Sequence, residues 1–153
     1  MTDGKKLATK RAFEGRMLKL DIDTVQLPND MTIDLEIVRH PGAAAVVPLD
    51  AQGQVIMVRQ YRYTVGEWLL EIPAGKLDSP GEDPKLCAER ELLEETGFTA
   101  KSITALGPIW VSPGFTDEKI SLFLAQELSP GEQQLEDDEV LEVERVPLAD
   151  AIA

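Results

Sequence analysis

A chain of 153 residues with 43% hydrophobic side chains is long enough for one domain with a full core, and no apolar run approaches the length that crosses a bilayer. With 15 basic against 28 acidic side chains the formal charge is −13, which argues against nonspecific attraction to nucleic-acid backbones or anionic membranes. One cysteine, Cys87, excludes an internal disulfide and a thiolate zinc cluster, and the opening residues "MTDGKKLATKRAFEGR" lack the apolar middle of a secretory signal, so a cytoplasmic protein is expected.

In chain order, "MLKLDIDTVQL" and "MTIDLEIVR" read as two strands around the turn "PND", an N-terminal hairpin spanning the first 40 residues. His40, the only histidine, follows in "VRHPG"; with no nucleophile beside it in sequence it reads as structural. "GAAAVVPLD" and "QVIMVRQYRY" are further strands separated by the turn "AQGQ", and "WLLEIPAG" is a short strand ending at Pro73. From about Asp83 to Thr96 the period changes. Leu86, Leu93 and the pair Ala88 and Leu92 recur at helical spacing, Pro84 suits the first turn and Gly97 closes the last. "SITALGPIWV" and "KISLFLAQEL" are strands flanking the loop "SPGFTDE", and "VLEVERVPL" is a last strand. "PLADAIA" reads as the first turn of a helix, either vestigial or the start of one that a further tail would complete. Many strands around one good helix give an α+β fold.

That helix carries an anomaly. Glu91, Glu94 and Glu95 fall three and four residues apart and share a face, where like charges destabilise an isolated helix by a few tenths of a kcal/mol per pair. Either the face is merely acidic, or hard oxygen ligands converge there on Mg²⁺ or Mn²⁺, which relieves the repulsion and leaves water for a phosphate substrate. A dication would also bring an anionic substrate to an acidic surface. Arg90 lies about a hundred degrees round the helix from Glu91 and is expected to brace the carboxylates by hydrogen bonds, while Cys87 reads as packing.

Gly75, a spacer, Glu82, seven residues, Arg90-Glu91-Leu92, one residue, Glu94-Glu95, one residue and Gly97-Phe98 together resemble the Nudix box. The family pattern has five residues between the first glycine and the first glutamate; here Lys76 to Gly81 make six, a lengthened loop with everything from Glu82 onward in register. From about Phe13 the chain is similar to the ADP-ribose pyrophosphatase branch, through "HPGAAAVVPLD", "VRQYRY", "LLEIPAGKLD" and "SPGFTDEKISLFLA" in that order. Pro113, sixteen residues past Gly97, matches a marker of that branch.

The resemblance implies a Nudix α/β/α sandwich with a mixed sheet over residues 41–153, preceded by an antiparallel β segment over 1–40 that helps form a homodimer. It implies metal ligands at the carbonyl of Ala74 and at Glu91 and Glu95, with Glu94 in the same shell and Arg90 beside them. A further ligand from an acidic loop is placed at Glu139, with Glu136 and Asp138 as alternatives, and Asp137 stands where a relative carries a general base. Arg62, assisted by Arg59, would grip the diphosphate through its planar fork. Pro113, Gly114 and Glu118 would meet the substrate, Glu118 at the distal ribose. The implied reaction is hydrolysis of ADP-ribose to AMP and ribose 5-phosphate with Mg²⁺ or Mn²⁺. The alternatives are another nucleoside diphosphate sugar such as GDP-mannose, or a noncatalytic nucleotide-binding domain, against which the retained glutamates argue.

Overall fold

The structure, a computed structural model, describes residues 3–79, 81–135 and 139–152. Internal contacts divide it into two compact units: the residues up to Pro41 with Trp110–Lys119, and Gly42–Ile109 with the chain from Ile120 onward.

The first unit is built on an antiparallel sheet of β1 (Lys5–Glu14), β2 (Lys19–Gln26) and β3 (Thr32–Arg39), with β2 in the middle. The hairpin β2–β3 is the one expected from the alternation, and its turn places Asp30 at φ 64. β1 is an addition. Its sequence "KKLATKRAFE" is exposed at every position, so it carries no inward apolar face to announce it. It is held instead by backbone pairing and by charge. Asp21 accepts from Arg11 and, at 3.0 Å, from Arg39; Asp23 accepts from Thr9 at 2.8 Å and from Arg39 at 2.5 Å. These two aspartates are buried, and their hydrogen bonds, from Arg11 above all at Asp21 and from Thr9 at Asp23, hold both carboxyls below the usual range.

The second unit holds a mixed four-stranded sheet in the order β7-β4-β9-β8, formed by β4 (Ala43–Pro48), β7 (Ala74–Lys76), β8 (Phe98–Trp110) and β9 (Lys119–Pro130). β4 runs parallel to β9 and antiparallel to β7. A second antiparallel sheet joins β5 (Gln54–Arg62) to β6 (Glu67–Glu71) on one side and β10 (Leu141–Pro147) on the other. The helix α1 (Pro84–Thr96) starts where Asp83 accepts from the Lys85 N–H at 2.9 Å and stops at Gly97, whose φ of 71 admits the left-handed turn. α2 (Leu148–Ala151) is a single turn. Among the described residues no helix is long and apolar enough to cross a membrane.

α1 lies on one face of the mixed sheet. Cys87, Ala88 and Leu92 from the helix pack with Ala44 and Val46 of β4 and Phe123 and Ala125 of β9, all buried. The register explains why these strand residues share a side, since Val46 pairs Phe123 and Pro48 pairs Ala125. Leu86, expected on the apolar stripe, is 58% exposed; the inward face of α1 is completed by Glu91 and Glu95. Leu92 is fully buried at the centre of this layer, so Leu92→Ala should lower unfolding free energy by about 3 kcal/mol, read as a shift of the urea midpoint at unchanged slope.

Candidate active site

α1 buries carboxylates because of what it faces. β7 pairs with β4 through Ala44 and Gly75, which presents the backbone of Ala74 and Gly75 to the helix. Glu95 accepts a hydrogen bond from the Ala74 N–H at 3.1 Å. Glu91 lies so close to Gly75 that a Cβ on that residue would come within 2.0 Å of its carboxylate oxygen. Glycine is therefore required by close approach of a charge. Glu91 and Glu95 are 7% and 4% exposed, and burial raises both carboxyls, that of Glu95 to about 8. At Glu95 the Ala74 N–H opposes the shift, while the negative charges of Glu91 and Glu139 add to it.

Arg90 holds the outer side of this group. Its Nη1 donates to Glu91 at 2.7 Å and to Glu94 at 3.0 Å, and its Nη2 donates to the Lys76 carbonyl at 3.2 Å. Its Nε is buried with no hydrogen bond among the described residues, 3.4 Å from the Asp78 carboxylate. One guanidinium thus binds two box glutamates to the backbone at the end of β7. Glu82 closes the lengthened loop by accepting from the Asp78 N–H at 2.5 Å, and it lies 3.8 Å from Arg90. The Cys87 thiol is buried against the carbonyls of Gly75 and Lys76, and burial pushes it up to about 11, so it stays protonated and packs.

The two arginines of "RQYR" part company. Three residues apart on a strand, Arg59 and Arg62 point to opposite faces of β5. Arg62 is on the side that feels Glu95 and Glu139, whose charges both reinforce its protonation. In this state its fork is held by Glu71, at 2.9 and 2.6 Å. Arg59 is gripped the same way by Glu144 of β10, on the side of Glu142 and Trp68. The structure thus brings Ala74, Glu91, Glu94, Glu95, Arg90, Arg62 and Glu139 to one region and sends Arg59 elsewhere. Asp137, with the alternatives Glu136 and Asp138, lies outside the described residues.

Pro113, Gly114 and Glu118 belong to the first unit. Their loop is laced to the end of β3: the Val38 N–H donates to the Phe115 carbonyl at 2.8 Å, and Asp117 accepts from Arg39 at 3.1 Å and from the His40 N–H at 2.8 Å. Pro113 and Gly114 line an open cleft of about 320 Å³ with Trp110, Phe115, Leu35 and Ile37. The His40 ring stands 3.8 Å from Glu118.

Among the described residues no three His, Cys, Asp or Glu side chains form a ready-made ligand group. The donor chemistry nevertheless suits a hard dication: two buried carboxylates, kept from easy ionisation by burial and by the charge of Glu91 on Glu95, packed against the backbone of Ala74 and Gly75. Sequence reading missed Glu71 and Glu144, the partners of both arginines. Their signal was present in "LLEI" and "LEVERV", where acids stand in strands adjoining β5, but Glu144 comes from a strand far away in sequence and the β5–β6 register that sets Glu71 on Arg62 is not read from local pattern.

A NUDIX domain family model matches residues 38–153. The ADP-ribose pyrophosphatase of Bacillus subtilis (strain 168) is 45% identical over 150 residues, covering 97% of this chain and 80% of the relative. The methanol dehydrogenase activator of Bacillus methanolicus is 43% identical with the same coverage. Among solved structures, an ADP compounds hydrolase superposes with a TM-score of 0.85 at 26% identity, covering 99% of this chain and 82% of that one. With the box residues folded into a helix whose buried glutamates face the strand of Ala74 and Gly75, and a family model spanning most of its length, the chain belongs to the Nudix family.

Proposed function

We propose that this chain hydrolyses the diphosphate bond of ADP-ribose, giving AMP and ribose 5-phosphate, with a divalent cation, Mg²⁺ or Mn²⁺, as cofactor. The observation that carries the reading is the burial of Glu91 and Glu95 against β7, two carboxyl groups that the fold brings together and that burial holds back from ionising until a cation is there to pair with them. The substrate comes from the relative at 45% identity, an ADP-ribose pyrophosphatase.

In this reading Glu91, Glu95 and the Ala74 carbonyl hold the cation, with Glu94 and Glu139 in its surroundings. A cation held there would supply Lewis acidity to the diphosphate and lower the pKa of a water molecule. Arg90 keeps Glu91 and Glu94 oriented through its hydrogen bonds. Arg62 exchanges its Glu71 partner for diphosphate oxygens, holding the bond to be broken in line. Arg59 steadies β10 through Glu144 and takes no direct part. Asp137 is assigned the proton of the attacking water. Pro113, Gly114 and Glu118 form the recognition loop for the nucleoside and the distal ribose. The N-terminal segment makes the protein a homodimer in the cytoplasm: Leu7, Phe13, Met17, Leu18 and Met31 are each about half exposed, apolar surface that a second copy would cover.

Purified protein with Mg²⁺ should release AMP from ADP-ribose faster than it cleaves GDP-mannose, measured by chromatography of products; the reverse preference would reassign the sugar and base. Glu95→Gln should lower turnover about a hundredfold or more with an unchanged circular dichroism spectrum. In chelator, the protonated Glu95 carboxyl stabilises the fold fully below its unfolded value of 4.5, and this contribution is lost as pH rises through about 8. Wild type should therefore lose stability relative to Glu95→Gln between pH 5 and 8, by up to about 1.4 kcal/mol per pH unit, and added Mg²⁺ should cancel the difference. Sedimentation at micromolar concentration should give twice the 16.8 kDa of one chain.

A further inference from the structure

The last turn of α1 leaves carbonyls that need donors. Gly97 supplies one, its N–H donating to the Leu93 carbonyl at 2.9 Å. The next two carbonyls in line belong to Glu94 and Glu95, the residues whose side chains stand at the acidic site. They are capped by a distant segment: the Gln134 N–H donates to the Glu94 carbonyl at 2.9 Å, and the Gln133 side-chain amide donates to the Glu95 carbonyl at 2.5 Å. The Gly131 N–H adds a bond to the Gly97 carbonyl at 2.5 Å.

Two glycines make this crossing possible. A Cβ on Gly97 would stand 3.0 Å from the Gln133 nitrogen, and one on Gly131 would stand 3.2 Å from the Gly97 carbonyl oxygen. The box glycine therefore does two things: it takes the left-handed conformation that ends the helix, and it leaves room for residues 131–134 to pass over the helix end. Five residues beyond Gln134 is Glu139, whose charge acts on Glu91, Glu95 and Arg62. Gln134, fixed with Gln133 on the helix end, is at most about 18 Å of chain from Glu139, and the charge of Glu139 acts on the carboxylates of that same helix.

We infer that Gln133 is a positioning residue for the cation site: its side-chain bond to the Glu95 carbonyl ties the segment that precedes Glu139 to the helix that carries Glu91 and Glu95, and so governs how Glu139 stands to the two helix carboxylates. This rests on the metal reading above. Gln133 touches neither substrate nor reacting atoms. Its effect runs through the distance between Glu139 and the helix, so it should appear in cation affinity before it appears in the chemical step.

The test is Mn²⁺ binding followed by electron paramagnetic resonance of the free ion, without substrate, on wild type, Gln133→Ala, Gln133→Lys and Glu95→Gln. Gln133→Ala should bind Mn²⁺ about tenfold more weakly, and its turnover should recover as Mn²⁺ is raised. Gln133→Lys restores a donor to the carbonyl and should stay within about twofold of wild type, which a general loss of packing would not allow. Unchanged affinity in Gln133→Ala, or equal loss in the alanine and lysine variants, while Glu95→Gln abolishes binding, would overturn the tether alone. Unchanged binding in Glu95→Gln would overturn the metal reading beneath it.

Discussion

Two carboxylates buried against a strand backbone are the constraint around which the second unit is arranged. Glu91 and Glu95 occupy the position on α1 that an apolar residue would normally take, directly facing Ala74 and Gly75. Desolvating such groups costs several kcal/mol unless partners are supplied, and the surrounding sequence supplies some. Arg90 covers Glu91 and Glu94, the Ala74 N–H covers one oxygen of Glu95, and the absent side chain of Gly75 makes room. The hydrophobic layer of Cys87, Ala88 and Leu92 against β4 and β9 then holds the helix at the depth these contacts demand. Packing and charge act here on one rigid element, so a change in either is felt by the other.

Much of this was legible in residues alone. Pro84, the terminal Gly97 and the period of Ala88 and Leu92 mark α1 because capping and helical spacing are local properties, and its observed span of Pro84–Thr96 follows them. The strands β2 to β5 are marked by alternation or by dense β-branched runs. Leu86 breaks the pattern: apolar residues are expected inward, yet the inward arc was already taken by acids, so Leu86 is left in solvent. β1 escaped notice because neither of its faces is buried, so although it forms a local hairpin with β2 it carries no apolar alternation to mark it. The direction of Arg59 could have been deduced, since strand periodicity separates it from Arg62. What could not be deduced was the partner of each, because Glu71 and Glu144 reach them only through the register of three strands.

The loop Ser112–Glu118 illustrates a different division of labour. Its sequence marks a turn, and turns read as permissive, yet here the turn is stitched to β3 by backbone bonds at Val38 and by Asp117. Arg39 reaches three carboxylates at once, Asp21, Asp23 and Asp117, and so joins the loop to the interior of the N-terminal sheet. A fork with several donors can do this where a lysine could not. Rigidity in this loop comes from a neighbouring strand, which is why inspection of its own seven residues gives no hint of it.

The pairing of Arg62 with Glu71 has a thermodynamic corollary. Glu71 occupies the Nε and Nη2 edge of the Arg62 guanidinium, so an incoming anion must either displace that carboxylate or use the remaining Nη1 donors. A ligand bringing a single negative charge gains little by displacing another carboxylate of the same geometry. If Arg62 takes the diphosphate as proposed, a ligand that spreads more charge over two linked groups would compete with Glu71 better than a single carboxylate, and the resident acid would favour anions of higher valence.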